Sequence, residues 1–218
     1  MKKVLLVVTV GLLSLAGNAQ MMLGTDGGTL SFRKSPEFND ENIAGSRYLT
    51  EDYQLAKVNK GSQDFMIRYN AYNDMMEYKN GADVLELIKD KNTHFRFFDG
   101  KIFELFSYDL DGKNHTRYHQ VLFDDNGIKI SKYISFKLIP AQKATNSYER
   151  DTQAAYKANK EMYFITYNNR TVEFDGKQKN LEKIVTGKSD VIKKFYKENK
   201  IRENDADMIK LGQFLSKL

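Results

Sequence analysis

Asp124-Asp125-Asn126-Gly127-Ile128-Lys129-Ile130-Ser131-Lys132-Tyr133-Ile134-Ser135-Phe136-Lys137-Leu138-Ile139-Pro140 is the stretch that decides the fold class. Ile128, Ile130, Ile134, Phe136 and Leu138 share one parity, interrupted only by Lys132, while Lys129, Ser131, Ser135 and Lys137 occupy the other. Side chains alternate across a strand, so the spacing predicts a strand over 128–139 with one face on a core and one in water. Asn126-Gly127 in front of it suits a type I′ turn, which needs positive φ at both central positions. Pro140 behind it cannot donate to a ladder.

The same punctuation recurs at Asn80-Gly81, Asp99-Gly100, Asp111-Gly112 and Asp175-Gly176, and the segments between are β-patterned. Phe65, Ile67, Tyr69 and Ala71 form an apolar face that hairpins into Met75–Lys79, and a later hairpin joins residues 162–167 to 171–174. Residues 20–62 read as an irregular segment with short strands, 63–176 as the antiparallel body, and 141–160 within it as a long loop with a helical turn. After Gly176 the period lengthens to that of a helix. Leu181, Ile184 and Val185 mark a first helix that Gly187 ends; Val191, Ile192, Phe195 and Tyr196 mark a second, capped by Ser189 or Asp190. Met208, Leu211, Leu215 and Leu218 stripe a third that Asn204 can start. The expectation is an α+β fold: a predominantly antiparallel β meander of hairpins, barrel-like or sandwich-like, followed by a small C-terminal helical segment over 177–218 packed on or beside the sheet.

The chain opens with Met1-Lys2-Lys3, an apolar run through Leu15, and Gly17-Asn18-Ala19 before Gln20. A basic start, a short apolar centre and a small-residue exit predict a secretory signal peptide over 1–19, and export to the periplasm or the outer face of the cell envelope. The 218 residues carry 34 basic and 29 acidic side chains, formally +5, but the distribution is uneven. Residues 20–176 hold 21 bases and 23 acids, whereas 177–218 hold 11 bases and 6 acids. The positive charge is concentrated in the helical tail.

Composition excludes several chemistries. Cysteine is absent, which removes disulfide-linked partners, thiolate metal sites, iron–sulfur clusters and thiol nucleophiles. His115 and His119 have helical chelate spacing, but on a strand they stand about 13 Å apart and serve as ordinary surface residues. The clusters at Asp109–Asn114 and Asp124–Gly127 fail the EF-hand pattern, since glycine falls at position 4 of the first. No Gly-x-Ser-x-Gly elbow, glycine-rich phosphate loop or histidine sequentially close to Ser131, Ser135 or Ser147 is present. No catalytic residue, metal ligand or cofactor is assigned on these grounds.

Two groups remain as candidate binding residues. Tyr69, Tyr72, Tyr78, Tyr163 and Tyr167 can present ring and hydroxyl together, as an aromatic platform for a sugar or an apolar ligand. Lys193, Lys194, Lys197 and Lys200 lie opposite the apolar stripe of the second helix and form a basic face suited to an envelope protein or an anionic envelope surface. Nucleic acid is not an expected partner of an exported chain with so small a net charge.

Arg68-Tyr69-Asn70-Ala71-Tyr72-Asn73-Asp74-Met75-Met76-Glu77-Tyr78, the strand from Ile128 to Leu138, Lys160–Phe164 with the loop before it, and Ser189–Lys200 with the short helix that follows resemble a group of secreted proteins common in Bacteroidota-type bacteria. The resemblance spans most of the chain after residue 19 and implies an exported, β-rich protein with short C-terminal helices; the group carries no assigned activity to transfer. The sequence therefore predicts a non-catalytic envelope protein acting as a binding or structural module. A secreted hydrolase using two carboxylates, or a small outer-membrane barrel, are the alternatives.

Overall fold

A computed structural model describes residues 21–144 and 150–218, so the expected signal peptide lies outside the described residues. The strands are β1 (Met21–Thr25), β2 (Gly28–Lys34), β3 (Ile43–Ala44), β4 (Gln54–Val58), β5 (Asp64–Asn70), β6 (Met75–Asn80), β7 (Asp83–Leu87) and β8 (His94–Phe97). They continue as β9 (Ile102–Leu110), β10 (Lys113–Asp125), β11 (Ile128–Tyr133), β12 (Phe136–Ile139), β13 (Ala154–Ala158), β14 (Met162–Tyr167) and β15 (Arg170–Glu173). Three helices follow: α1 (Gln178–Ile184), α2 (Ser189–Glu198) and α3 (Asp205–Leu215). Twelve strands form one antiparallel sheet in the order β1-β2-β7-β6-β5-β4-β8-β9-β10-β11-β14-β15, and β12-β13-β3 form a small second sheet. The fold is α+β with a β-rich body and a helical C-terminus, as the alternation and the change of period predict.

The turn residues act as their chemistry requires. Asp111 and Gly112 have φ of 50° and 73°, and Asn126 and Gly127 have 50° and 76°, so both tight hairpins flanking β10 use positive φ at two successive residues. β2 and β4 lie in the same large sheet as the body, so residues 20–62 contribute central as well as irregular structure.

One face of the sheet curls around Phe32, Ala56, Ile67, Tyr69, Met76, Phe95, Phe103 and Tyr118. A single buried carboxylate ties this curl. Asp74, in the β5–β6 turn, accepts hydrogen bonds from the Tyr69 hydroxyl at 2.9 Å, the Tyr118 backbone N–H at 3.0 Å and the Lys89 ammonium. Lys89 also donates to the Thr116 carbonyl at 3.1 Å, which brings the end of β7 to β10 across the concave side. Burial raises the Asp74 carboxyl above its ordinary range, and Lys89 opposes that shift.

Beyond β10 the opposite face holds a second, aromatic cluster of Phe106, Tyr108, Tyr133 and Phe164. β15 returns to within 8 Å of β9 at the Cα atoms without forming a ladder with it. The helices cover the other side of β10, β11 and β14, where Leu181, Ile192, Met208, Leu211 and Leu215 pack on Ile128, Ile130, Tyr163, Ile165 and Phe174. The approach is close: a Cβ on Gly212 of α3 would stand 2.6 Å from the Phe123 ring.

The stretch 128–139 is two strands rather than one. β11 ends at Tyr133, and β12 belongs to the small sheet. The crossing is fixed from both sides: the Tyr69 hydroxyl, whose one proton is shared with Asp74, lies 3.2 Å from the Ile134 carbonyl oxygen, and the Phe136 N–H donates to the Ala71 carbonyl at 3.0 Å. A continuous period-two pattern registers burial on either side of such a crossing, not the change of sheet. Lys132, the break in the apolar parity, is buried because it pairs with Asp205 at 2.9 Å and Glu161 at 3.1 Å, pinning the start of α3 to the sheet. In the described part of the predicted 141–160 loop, residues 154–158 form β13, which pairs with β12 and, in parallel, with β3. Asn204 caps α3 by accepting from the Asp207 N–H at 2.9 Å, whereas the N-cap of α2 is Lys188, not Ser189 or Asp190, and makes no side-chain cap bond. Val191 and Leu218, both placed on apolar stripes by spacing, are exposed.

Candidate functional site

On the convex side of the first curl, four adjacent strands carry one row of charges in register: Arg33 on β2, Glu86 on β7, Glu77 on β6 and Arg68 on β5. Glu77 and Glu86 stand directly opposite each other and are almost fully buried. Like charges in that position repel, and each is bracketed by a guanidinium on its far side. Arg33 Nε donates to Glu86 Oε2 at 2.8 Å, and Arg68 donates to Glu77 Oε2 from Nε at 3.0 Å and from Nη2 at 2.8 Å. Asn70 completes Glu77 by donating to Oε1 at 3.0 Å. The Arg68 guanidinium is held between the rings of Tyr48, at 3.5 Å, and Tyr53, at 4.3 Å. Burial, reinforced by Glu77, pushes the Tyr48 hydroxyl up to about 12.

Arg68 and Glu77 of this row line a cleft of about 320 Å3, walled by the segment after β2 and by the β6–β7 turn. Lys34, Phe38, Tyr48, Arg68, Glu77 and Asp83 are among its lining residues. Phe38 is fixed from behind. The guanidinium of Arg47 lies 3.7 Å from its ring centroid, and Arg47 is itself 2% exposed, bound by Asp40 and donating to the Tyr156 hydroxyl at 2.8 Å. Gly45 permits this arrangement, having a φ of +74° and a position where a Cβ would sit 2.9 Å from the Tyr156 carbonyl oxygen. No family model, curated protein or solved structure matches the chain.

The five tyrosines singled out by sequence do not come together. Tyr69 and Tyr78 pack in the first core, and Tyr163 lies under α3, donating to Asp205 at 2.8 Å. Burial and Asp205 raise the Tyr163 hydroxyl well above its ordinary range. Tyr72 is exposed, edge-on to Tyr156 at 5.1 Å. Tyr167 lines a smaller cavity of about 230 Å3 beside α1, with Arg170, Val172, Lys183 and Ile184. The aromatic face that borders the larger cleft is Phe38, which the sequence reading missed because residues 35–40 have no periodicity. Pro36 before it and Asp40 after it were the available local signals.

Of the four lysines, Lys193, Lys194 and Lys197 lie on α2, whereas Lys200 falls beyond its end, after Asn199 in extended conformation. Ile192 anchors α2 in the second half of the core, and Lys193, Lys194, Lys197 and Lys200 are all exposed. Among the described residues only Lys193 meets a carboxylate, Asp190, at the long distance of 3.9 Å.

His119 is not a surface residue. Its ring is buried among Phe106, Tyr108, Tyr133 and Phe164, at centroid distances from 4.5 to 5.6 Å. His115 shares that strand face and stacks on Tyr108 from outside at 5.7 Å. The fold also joins His119 to Ser131, 12 residues away, through an Nδ1 to Oγ contact of 3.1 Å. The pair has the contact distance of a nucleophilic dyad but neither its access nor its basicity. Both residues are fully buried, Nε2 has no partner among the described residues, and burial, aided by Arg117, lowers the histidine to about 3, too weak a base to activate a hydroxyl. The described residues contain no cluster of three or more potential metal ligands.

A pH dependence follows from His119. The folded protein keeps the ring neutral down to about pH 3, whereas the unfolded chain binds a proton near its ordinary value of about 6.5. The unfolded state therefore binds more protons across that interval, and stability falls as pH falls from about 6.5 towards 3. Urea midpoints measured across this range should decline more steeply for the natural chain than for His119→Phe; parallel declines would contradict the assignment.

Proposed function

We propose that the protein is an exported, non-catalytic binding module of the cell envelope, akin to the secreted group it resembles, and that α2 presents it to an anionic envelope surface. The observation that carries this reading is the group of exposed lysines on and just after α2, a helix anchored in the core by Ile192 and packed beside α1. A row of cations that the fold does not use internally attracts an anionic surface by roughly 1 kcal/mol per lysine close to it. The paired state of the buried acids supports the absence of catalysis: Glu77 and Glu86 face one another as a carboxylate hydrolase requires, yet each is committed to an arginine. The charge balance of the body argues against nucleic acid as the partner.

Sedimentation with vesicles tests this. Protein beginning at Gln20 should pellet with phosphatidylglycerol vesicles at low salt, lose that association as salt rises, and ignore phosphatidylcholine vesicles. Replacing Lys193, Lys194, Lys197 and Lys200 together by glutamine should weaken binding at least about tenfold without shifting the thermal midpoint. Equal binding by the variant would remove the basis of the proposal.

A further inference from the structure

We infer that the cleft over Arg68 and Glu77 is a carbohydrate-binding site for a short, uncharged oligosaccharide. Three features of its construction point to that ligand class. The first is the Phe38 ring, 41% exposed although the guanidinium of Arg47 covers its rear. An aromatic ring with one face pinned and the other open is a pre-organised platform for the C–H face of a pyranose. Arg47 makes the platform rigid because its own bonds to Asp40 and Tyr156 leave it no freedom to follow the ring.

The second feature is the balance of charge. Arg68 is paired with Glu77 and Asp40 with Arg47, and Lys34 lies 3.8 Å from Glu37. An anionic ligand would have to displace one of these carboxylate partners. A hydroxyl can donate to the remaining carboxylate lone pairs and accept from the cations without breaking any pair. Asp83 and the Tyr48 hydroxyl, which have no hydrogen-bond partner among the described residues, supply a free acceptor and a free donor in the same cleft.

The third feature is size. At about 320 Å3 the cleft lies at the lower end of small-ligand sites and accommodates one or two sugar rings. Arg68 and Glu77 lie on paired strands and bond each other, so these two polar groups are fixed before a ligand arrives. This site is independent of the lysine face of α2, and neither proposal needs the other.

The test is titration of the isotope-labelled protein with cellobiose, maltose and N,N′-diacetylchitobiose, followed through its backbone amide resonances, with sodium phosphate as an anionic control. At least one disaccharide should shift amides in residues 34–40 and 82–84, with a dissociation constant near or below ~1 mM. Phe38→Ala should weaken that binding at least about tenfold, and Tyr48→Phe, which keeps the ring over Arg68, about three- to tenfold. Tyr48→Phe leaves the packing intact, so it stays informative if Phe38→Ala loosens the loop. The four-lysine variant should bind sugar as the natural chain does. Absence of shifts at those amides with all three disaccharides, unchanged affinity in both variants, or a stronger response to phosphate than to any sugar would overturn the assignment.

Discussion

Glu77→Ala is expected to destabilise the protein by about 3–5 kcal/mol, a large share of the roughly 5–15 kcal/mol by which domains are stable. The glutamate is buried at the centre of the charge row and accepts from Arg68 and Asn70. Its removal strands a guanidinium that is 16% exposed and held between two tyrosine rings, so Arg68 cannot swing out to water without breaking that stack. The cost is that of an uncompensated buried charge, not of one hydrogen bond. Two further variants separate the causes. Glu77→Gln keeps the shape and should recover part of the loss, and Arg68→Met combined with Glu77→Gln should be more stable than Glu77→Ala alone, because no lone charge remains. Urea unfolding followed by far-ultraviolet circular dichroism reads all three; a loss below about 1 kcal/mol for Glu77→Ala would show that the row is hydrated.

Deleting residues 177–218 should prevent the remaining chain from folding to a soluble sheet. Leu181, Ile192, Met208, Leu211 and Leu215 are buried against β11 and β14. At about 1.5–3 kcal/mol for each large apolar side chain, five of them amount to much of the roughly 5–15 kcal/mol by which whole domains are stable. The truncation also uncovers Ile130, Ile165 and Phe174 and leaves Lys132 buried without Asp205. Broad amide resonances, dye binding to exposed apolar surface and aggregation are the expected readouts. A truncated chain with sharp, dispersed resonances would mean that the sheet is self-sufficient and the helices only an attachment. The basic face of α2 therefore has to be tested by charge substitution and not by removal, since the inner face of the same helix is core.

Strand identity and helix spacing were readable because each rests on local periodicity and turn chemistry. The Asn-Gly and Asp-Gly pairs marked the hairpins, and the stripe of Met208, Leu211 and Leu215 marked the buried face of α3. Long-range pairing was not readable. Nothing local in Ile128–Ile139 distinguishes one strand from two strands in different sheets, because the crossing is set by Tyr69 and Ala71, each 65 residues before its partner. Lys132 looked like a break in the pattern and is an ion-paired anchor for α3. The tyrosines were candidates on chemistry alone, and their burial depended on which face of the sheet curled inward. Lys193, Lys194 and Lys197 were legible on α2 because an exposed row on an amphipathic helix needs only the helical period, whereas the end of the helix before Lys200 was not. The cleft was not, because Phe38 and Arg47, from the loops before and after β3, meet the Arg68–Glu77 pair of the β5–β6 hairpin only in the folded chain.

Fractionation of cells producing the protein from its own full-length gene tests the central claim most directly. The account predicts that the processed chain, beginning at Gln20, is recovered with the envelope fraction at low salt and released by high salt. The variant lacking Lys193, Lys194, Lys197 and Lys200 should be exported equally well and recovered in the soluble exported fraction. Recovery of the natural chain from the cytoplasm with residues 1–19 intact, or identical envelope retention of the variant at low and high salt, would contradict it.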